Sequence, residues 1–293
     1  MPMGWIVASA VLLVGAVCLL DLLATPFQRV SRARLEKFAR RQCLQVSIDN
    51  GPVVIRYLAT TRRWRGSGLL VGATATGFWP LFVQWFWPDD APNHLGVNGL
   101  ALFAGWFAGA VVAEWRVSTA AAGRRRAAVL EPRRLADYVP RPSRVVPVAA
   151  WVVLAAFELF ALVFVLARHG DRLAPVLGWI ALTAVAGTLL AVVGRQVLVR
   201  PQRYRAADQI AADDAIRSRS LHVLAGSALA IAGYLSVGVA ETLATHSAAW
   251  SENLAVLIAV IGGILVPIVG FNVATAPTPP IRRRMPLLEG RPA

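Results

Sequence analysis

Residues 151–167 read WVVLAAFELFALVFVLA, seventeen residues of which sixteen are apolar. The exception is Glu158, close to the middle. With its apolar neighbours this run is long enough to cross ~30 Å of hydrocarbon, which takes about 20 helical residues. The whole chain agrees with that reading. Of its 293 residues 57% are hydrophobic and 16% charged, and its mean hydropathy is +0.57, against about 25% charged residues in soluble domains. The stretch is therefore read as one span of an all-α, polytopic transmembrane helix bundle.

Working outward from it, seven segments have the necessary length and apolarity, near 3–25, 67–88, 97–116, 147–168, 174–197, 219–241 and 253–275. Only helices satisfy their own backbone in lipid at these lengths. The first run, MPMGWIVASAVLLVGAVCLLDLLATPF, has no basic residue before it and a basic cluster after it, the reverse of a cleavable signal. It is expected to be a permanent span. Residues 1–293 are thus expected to form a single membrane domain.

Orientation follows from Lys and Arg. The linker 26–66 and the segments 116–146 and 195–219 hold ten, eight and six, and the tail 276–293 holds four, so 28 of the 30 lie on one side of the alternation. The positive-inside rule places the N-terminus outside and the C-terminus inside. The basic linkers 26–66, 117–146 and 198–218 are then cytoplasmic. They are expected to contain short amphipathic helices. One starts at Asp49–Asn50, with Pro52 in its first turn, although a hairpin turning at Asn50–Gly51 is the alternative. A second starts at Pro132. A third, RAADQIAADDAIRSRS (205–220), is expected to be solvated, its acids balanced by neighbouring arginines. Basic faces of this kind lie against anionic lipid, each charge adding ~1 kcal/mol.

Several chemistries lack their residues. The sequence has no H-E-x-x-H, no G-x-S-x-G and no G-x-x-x-x-G-K-[ST]. A retinal Schiff base needs a lysine in the last span, and the one lysine is Lys37. Cys18 and Cys43 suggest neither a disulfide nor a zinc site. No catalytic residue, cofactor or metal is implied, and the net charge of +14 is ascribed to topology, not to nucleic-acid binding.

The polar residues within spans are the candidate sites. At the depth of Glu158, span 5 offers Thr183 and Thr188, span 6 offers Tyr234 and, deeper, Ser227. An unpaired ion there costs a few kcal/mol, so Glu158 is expected to be a mostly neutral acid that faces other helices and donates a hydrogen bond. Two roles remain open: an interhelical hydrogen bond worth ~1 kcal/mol, or a proton- or cation-coupling site. Near the inner boundary, Glu114 and Arg195 are a candidate pair. His94, His169 and His246 fall one in each outer turn. Small residues four apart, Gly68/Gly72, Gly105/Gly109, Gly187/Ala191 and Gly226/Ala230, predict close helix packing. Pro80 and Pro267 are expected to kink spans 2 and 7, and Pro267, after Gly262 and Gly263, makes span 7 the best candidate for a hinge.

The stretches LEPRRLADYVP (130–140) and ADQIAADDAIRSRS (207–220) resemble stretches of uncharacterised multi-pass membrane proteins of high-GC actinobacteria. The resemblance implies a bacterial cell-membrane location and no activity. Two functions are expected as alternatives. One is a non-enzymatic membrane component, working through its basic inner surface with lipid or a membrane-protein partner. The other is a small permease coupled through Glu158.

Overall fold

The structure, a computed structural model, describes residues 30–86, 99–119, 134–167, 173–201, 206–244, 257–258 and 260–276, with backbone alone for 76–86 and 99–102. The first expected span, the three histidines of the outer turns, Cys18 and all of the tail beyond residue 276 lie outside the described residues.

All regular structure among the described residues is helical. In chain order it comprises α1 (Arg32–Arg41), α2 (Gly51–Phe86), α3 (Gly99–Thr119), a 3-10 turn (Leu135–Asp137), α4 (Arg141–Ala167), α5 (Leu173–Val199), α6 (Ala207–Ala244), a π turn (Ile261–Leu265) and α7 (Val266–Thr275). Helices α4, α5 and α6 are each long and apolar enough to cross a membrane. They differ in surroundings: 72% of the apolar window of α6 is buried inside the protein, against 22% for α4 and 17% for α5. Helix α6 is therefore the axis of the bundle, packed by α3, α4, α5 and α7. The outward faces of α4 and α5 expose Val148, Val152, Leu159, Phe160, Val163, Leu182, Val185 and Leu189. An apolar belt of that extent is costly in water and neutral in hydrocarbon.

Two linkers depart from the expected short helices. Helix α2 starts at Gly51, after Asn50, so the helical reading holds over the hairpin, but it then runs on without a break for 36 residues. Helix α6 likewise absorbs residues 207–218 into one helix of 38 residues. At 1.5 Å per residue they measure about 54 and 57 Å, well beyond ~30 Å of hydrocarbon. Nothing in TTRRWRGSG (60–68) forces a stop, since its arginines are good helix formers and a glycine costs only about 1 kcal/mol. The helix expected from Pro132 is a single 3-10 turn, pinned by the Arg134 backbone N–H donating to Asp137 Oδ2 at 2.9 Å.

The helical extensions build a packed layer at one end of the bundle, called here the basic end. Phe38 of α1, Leu44, Val54 and Tyr57 of α2, and Ala212, Ala215 and Ile216 of α6 form its core. Helix α1 closes in a Schellman motif: the Leu44 N–H reaches the Ala39 carbonyl at 2.9 Å and the Cys43 N–H reaches the Arg40 carbonyl at 3.4 Å. Cys43 takes the left-handed position, φ 47°, usually held by glycine. Leu44 and Phe38 supply the apolar contact that accompanies the motif. Asn50 is fully buried and ties this loop to α6, its Nδ2 donating to the carbonyls of Gln45 at 2.9 Å and Asp208 at 3.4 Å.

Three of the four small-residue motifs, those of Gly68, Gly105 and Gly226, meet a neighbouring helix backbone as expected. A Cβ built on Gly68 falls 2.7 Å from Gly109 Cα, and one on Gly105 falls 2.8 Å from Gly72 Cα. Helices α2 and α3 thus cross antiparallel with backbones touching. Gly226 is matched in the same way by Ala274 of α7, where an added Cβ falls 2.7 Å from the alanine Cβ. Gly187 of α5 seats the Trp151 ring of α4. Where Pro267 predicts a kink, the helix has a π turn just before the proline. Proline has no N–H to give the carbonyl four residues back and its ring crowds that carbonyl. A wider turn over Ile261–Leu265 accommodates both, with Gly262 and Gly263 buried against α6.

Candidate functional site

Glu158 sits on one stripe of α4 with Leu154, Ala161 and Val165, all facing inward. It is buried, and the Thr183 hydroxyl of α5 donates to its carboxyl at 2.5 Å. Thr183 is one of the four neighbours that depth offers, and the carboxyl accepts from it where the sequence suggests that it donates. Above and below it the stripe is apolar: Leu154 packs with Ala232 and Leu235, and Ala161 and Val165 pack with Val176, Val239 and Leu243. The other neighbours named from depth do not join it. Thr188 is exposed and donates to its own helix, at the Ala184 carbonyl. Tyr234 lies against the Phe107 ring of α3, centroids 6.4 Å apart, and its buried hydroxyl has no hydrogen-bond partner. Ser227 lines a different cavity. Glu158 and Thr183 are a pair, not part of a larger polar group.

Glu114 is fully buried and Arg195 is exposed, so the expected boundary pair does not form. The partners of Glu114 come from the basic end. The Tyr57 hydroxyl donates to its Oε1 at 3.1 Å, the Ser220 hydroxyl to its Oε2 at 2.5 Å, and the Arg65 guanidinium stands 3.9 Å away. The sequence signal that located Glu114, an acid near the end of a span, carried no information on depth. Because α2 and α6 run on as 36- and 38-residue helices, they cover this position and take it out of solvent. Burial, reinforced by the neighbouring Glu114 carboxyl, pushes the Tyr57 hydroxyl above its ordinary range. It therefore stays protonated and remains a donor.

Of the acids of the 205–220 stretch, Asp208 is exposed as expected, whereas Asp213 is balanced by arginine but is not solvated. Asp213 is buried and accepts from Arg200 at 2.5 Å and from Arg217, one turn on, at 3.1 Å. Arg217 is fully buried. It donates to the carbonyls of Val197 at 2.6 Å, Leu198 at 2.8 Å and Arg200 at 3.0 Å. The last carbonyls of α5 have no partner within their own helix. The planar guanidinium fork supplies one while Asp213 holds its charge. Next to this node the stretches 130–140 and 207–220 meet: the Tyr138 hydroxyl donates to Asp214 at 3.2 Å, and the Ser218 hydroxyl donates to the Tyr138 carbonyl at 3.0 Å. The i,i+4 spacing of Asp213 and Arg217 was legible in sequence. The involvement of the α5 terminus was not.

Among the described residues no three His, Cys, Asp or Glu side chains come together in a way that could hold a metal ion. The chemistry within reach of these clusters is hydrogen bonding and charge pairing that locks the basic end to the bundle. No family model, no curated protein and no solved structure matches the chain.

Proposed function

We propose that the chain is a seven-span component of a bacterial cell membrane, with its N-terminus outside and its C-terminus in the cytoplasm. In this reading it catalyses no reaction and serves as a scaffold, regulatory or partner subunit, acting through its basic cytoplasmic face. Its closest surroundings are the bilayer, anionic lipid at the inner leaflet, and another membrane protein. The resemblance to actinobacterial multi-pass proteins is in keeping with that location.

The observation that carries the reading is where the polar chemistry lies. Glu158 is enclosed by apolar side chains with Thr183 as its partner, whereas ion pairs and hydrogen-bond networks concentrate at the basic end. A coupled permease gathers several polar groups at mid-membrane, around a broken helix. The one break among the described spanning residues is the π turn before Pro267, and neither of the two described cavities is lined by Glu158.

Crosslinking in the native membrane followed by affinity purification tests the scaffold role. A reproducible membrane-protein partner is expected, and recovery at background level counts against it. A reporter fused after residue 293 should be active in the cytoplasm; activity outside overturns the orientation. For the permease alternative, proteoliposomes with an internal pH dye are decisive. Proton flux present in the wild type and abolished by Glu158→Gln would replace the scaffold reading with the permease.

A further inference from the structure

At the basic end, α1, α2, α3, α6 and α7 enclose a cavity of about 540 Å³, within the range typical of small-molecule sites. Six cations line it: Arg34, Lys37, Arg41, Arg62, Arg65 and Arg219. Among the described residues, none that line it is Asp or Glu. Glu114 stands behind Arg65 and is already held by two hydroxyls. The remaining wall is largely apolar, with Leu69, Trp106, Val223 and Phe271.

Two details point to a ligand. The Ser227 hydroxyl lines the cavity, is fully buried and has no hydrogen-bond partner. Arg65 Nε is likewise buried without one. Leaving such a group unsatisfied is costly, and a bound acceptor would recover that cost. The guanidinium groups at the junction of the two walls are held in place. Arg65 lies over the Trp106 ring, 5.3 Å from its centroid, and Arg219 donates to the Ala274 carbonyl.

The polarity runs in one direction along the cavity. Arg34, Lys37, Arg41 and Arg62 come from the linker side, and the apolar residues come from within the spans. Ser227 is eight residues along α6 from Arg219, about 12 Å deeper. We propose that the cavity binds an anionic phospholipid, with the headgroup phosphate among Lys37, Arg62 and Arg65 and the start of an acyl chain along Leu69, Trp106 and Phe271. A free phosphate ion would meet the cations but leave the apolar wall uncovered. Basic pockets between spanning helices on the cytoplasmic side hold such headgroups. The proposal rests on the reading that this end faces the inner leaflet.

Lys37, the single lysine of the chain, provides a probe in the unmutated protein. The full-length protein is placed in phosphatidylcholine nanodiscs with or without phosphatidylglycerol. Acylation of Lys37 is then followed by mass spectrometry, with the N-terminal amine as internal reference. Phosphatidylglycerol should slow Lys37 acylation severalfold, and millimolar inorganic phosphate should not. In neutral detergent, Lys37→Gln/Arg62→Gln should bind phosphatidylglycerol about thirtyfold less tightly than the wild type, two charges at about 1 kcal/mol each. Circular dichroism checks that the variant keeps its helix content. Equal protection by inorganic phosphate would reassign the cavity to a soluble anion and overturn the lipid proposal. Equal acylation in the two lipids would overturn it outright. Both faces are accessible in nanodiscs and detergent, so these results are independent of the topology reporter and of the partner search.

Discussion

The Tyr57 hydroxyl donates to the Glu114 carboxyl across 3.1 Å, and both side chains are buried. This contact fastens the overhanging part of α2 to the end of α3. Tyr57→Phe removes the donor and leaves a buried carboxyl short of a partner, at a cost of about 1–3 kcal/mol. The thermal midpoint in detergent should fall accordingly. Stability should also fall with rising pH in the alkaline range. Folded Tyr57 keeps its proton while the unfolded side chain loses it near its ordinary value of 10.0, so stability is full below that value and declines as pH rises above it. Tyr57→Phe should show a shallower alkaline decline; an identical slope would remove Tyr57 as its source.

Arg217 joins Asp213 to the final carbonyls of α5. Arg217→Lys keeps the charge but not the fork, and cannot reach all these acceptors together. Breaking a buried pair costs about 3–5 kcal/mol. The lysine variant should therefore lose much of that amount in denaturant titration, and Arg217→Met more than the lysine variant. A lysine variant as stable as the wild type would show that charge alone, not carbonyl capping, is what matters.

Glycines on the same bundle should respond in opposite ways. At Gly68 a methyl group would collide with the α3 backbone, whereas at Gly178 nothing lies within 4 Å of an added Cβ. Gly68→Ala should cost about 1–3 kcal/mol by forcing the helices apart. Gly178→Ala should be neutral or gain up to about 1 kcal/mol from helix propensity. Parallel thermal melts separate the two, and equal effects would deny backbone contact between α2 and α3.

Cys43→Gly is expected to stabilise. The left-handed backbone at the C′ position of α1 strains a residue with a Cβ, and glycine relieves about 1 kcal/mol of that strain. An increase of a few degrees in the midpoint checks it, and Cys43→Ala should not reproduce the gain.

Hydropathy was enough to read an all-helical chain with helices long and apolar enough to cross a membrane, because partition between oil and water acts on each segment independently of its partners. Spacing alone pointed to the glycine crossings at Gly68, Gly105 and Gly226, which follow the helical period; depth offered Thr183 to Glu158 as one of four polar neighbours, and Pro267 predicted a kink where a π turn precedes it. Partner choice was decided only in three dimensions. Glu114 meets Tyr57 and Ser220, 57 and 106 positions away, because two long helices run on without a break and cover it. Nothing local in the sequence ended or extended those helices. The packing of Phe38, Tyr57 and Ile216 in a common core did, and that layer turned charges expected at a wet boundary into buried ties.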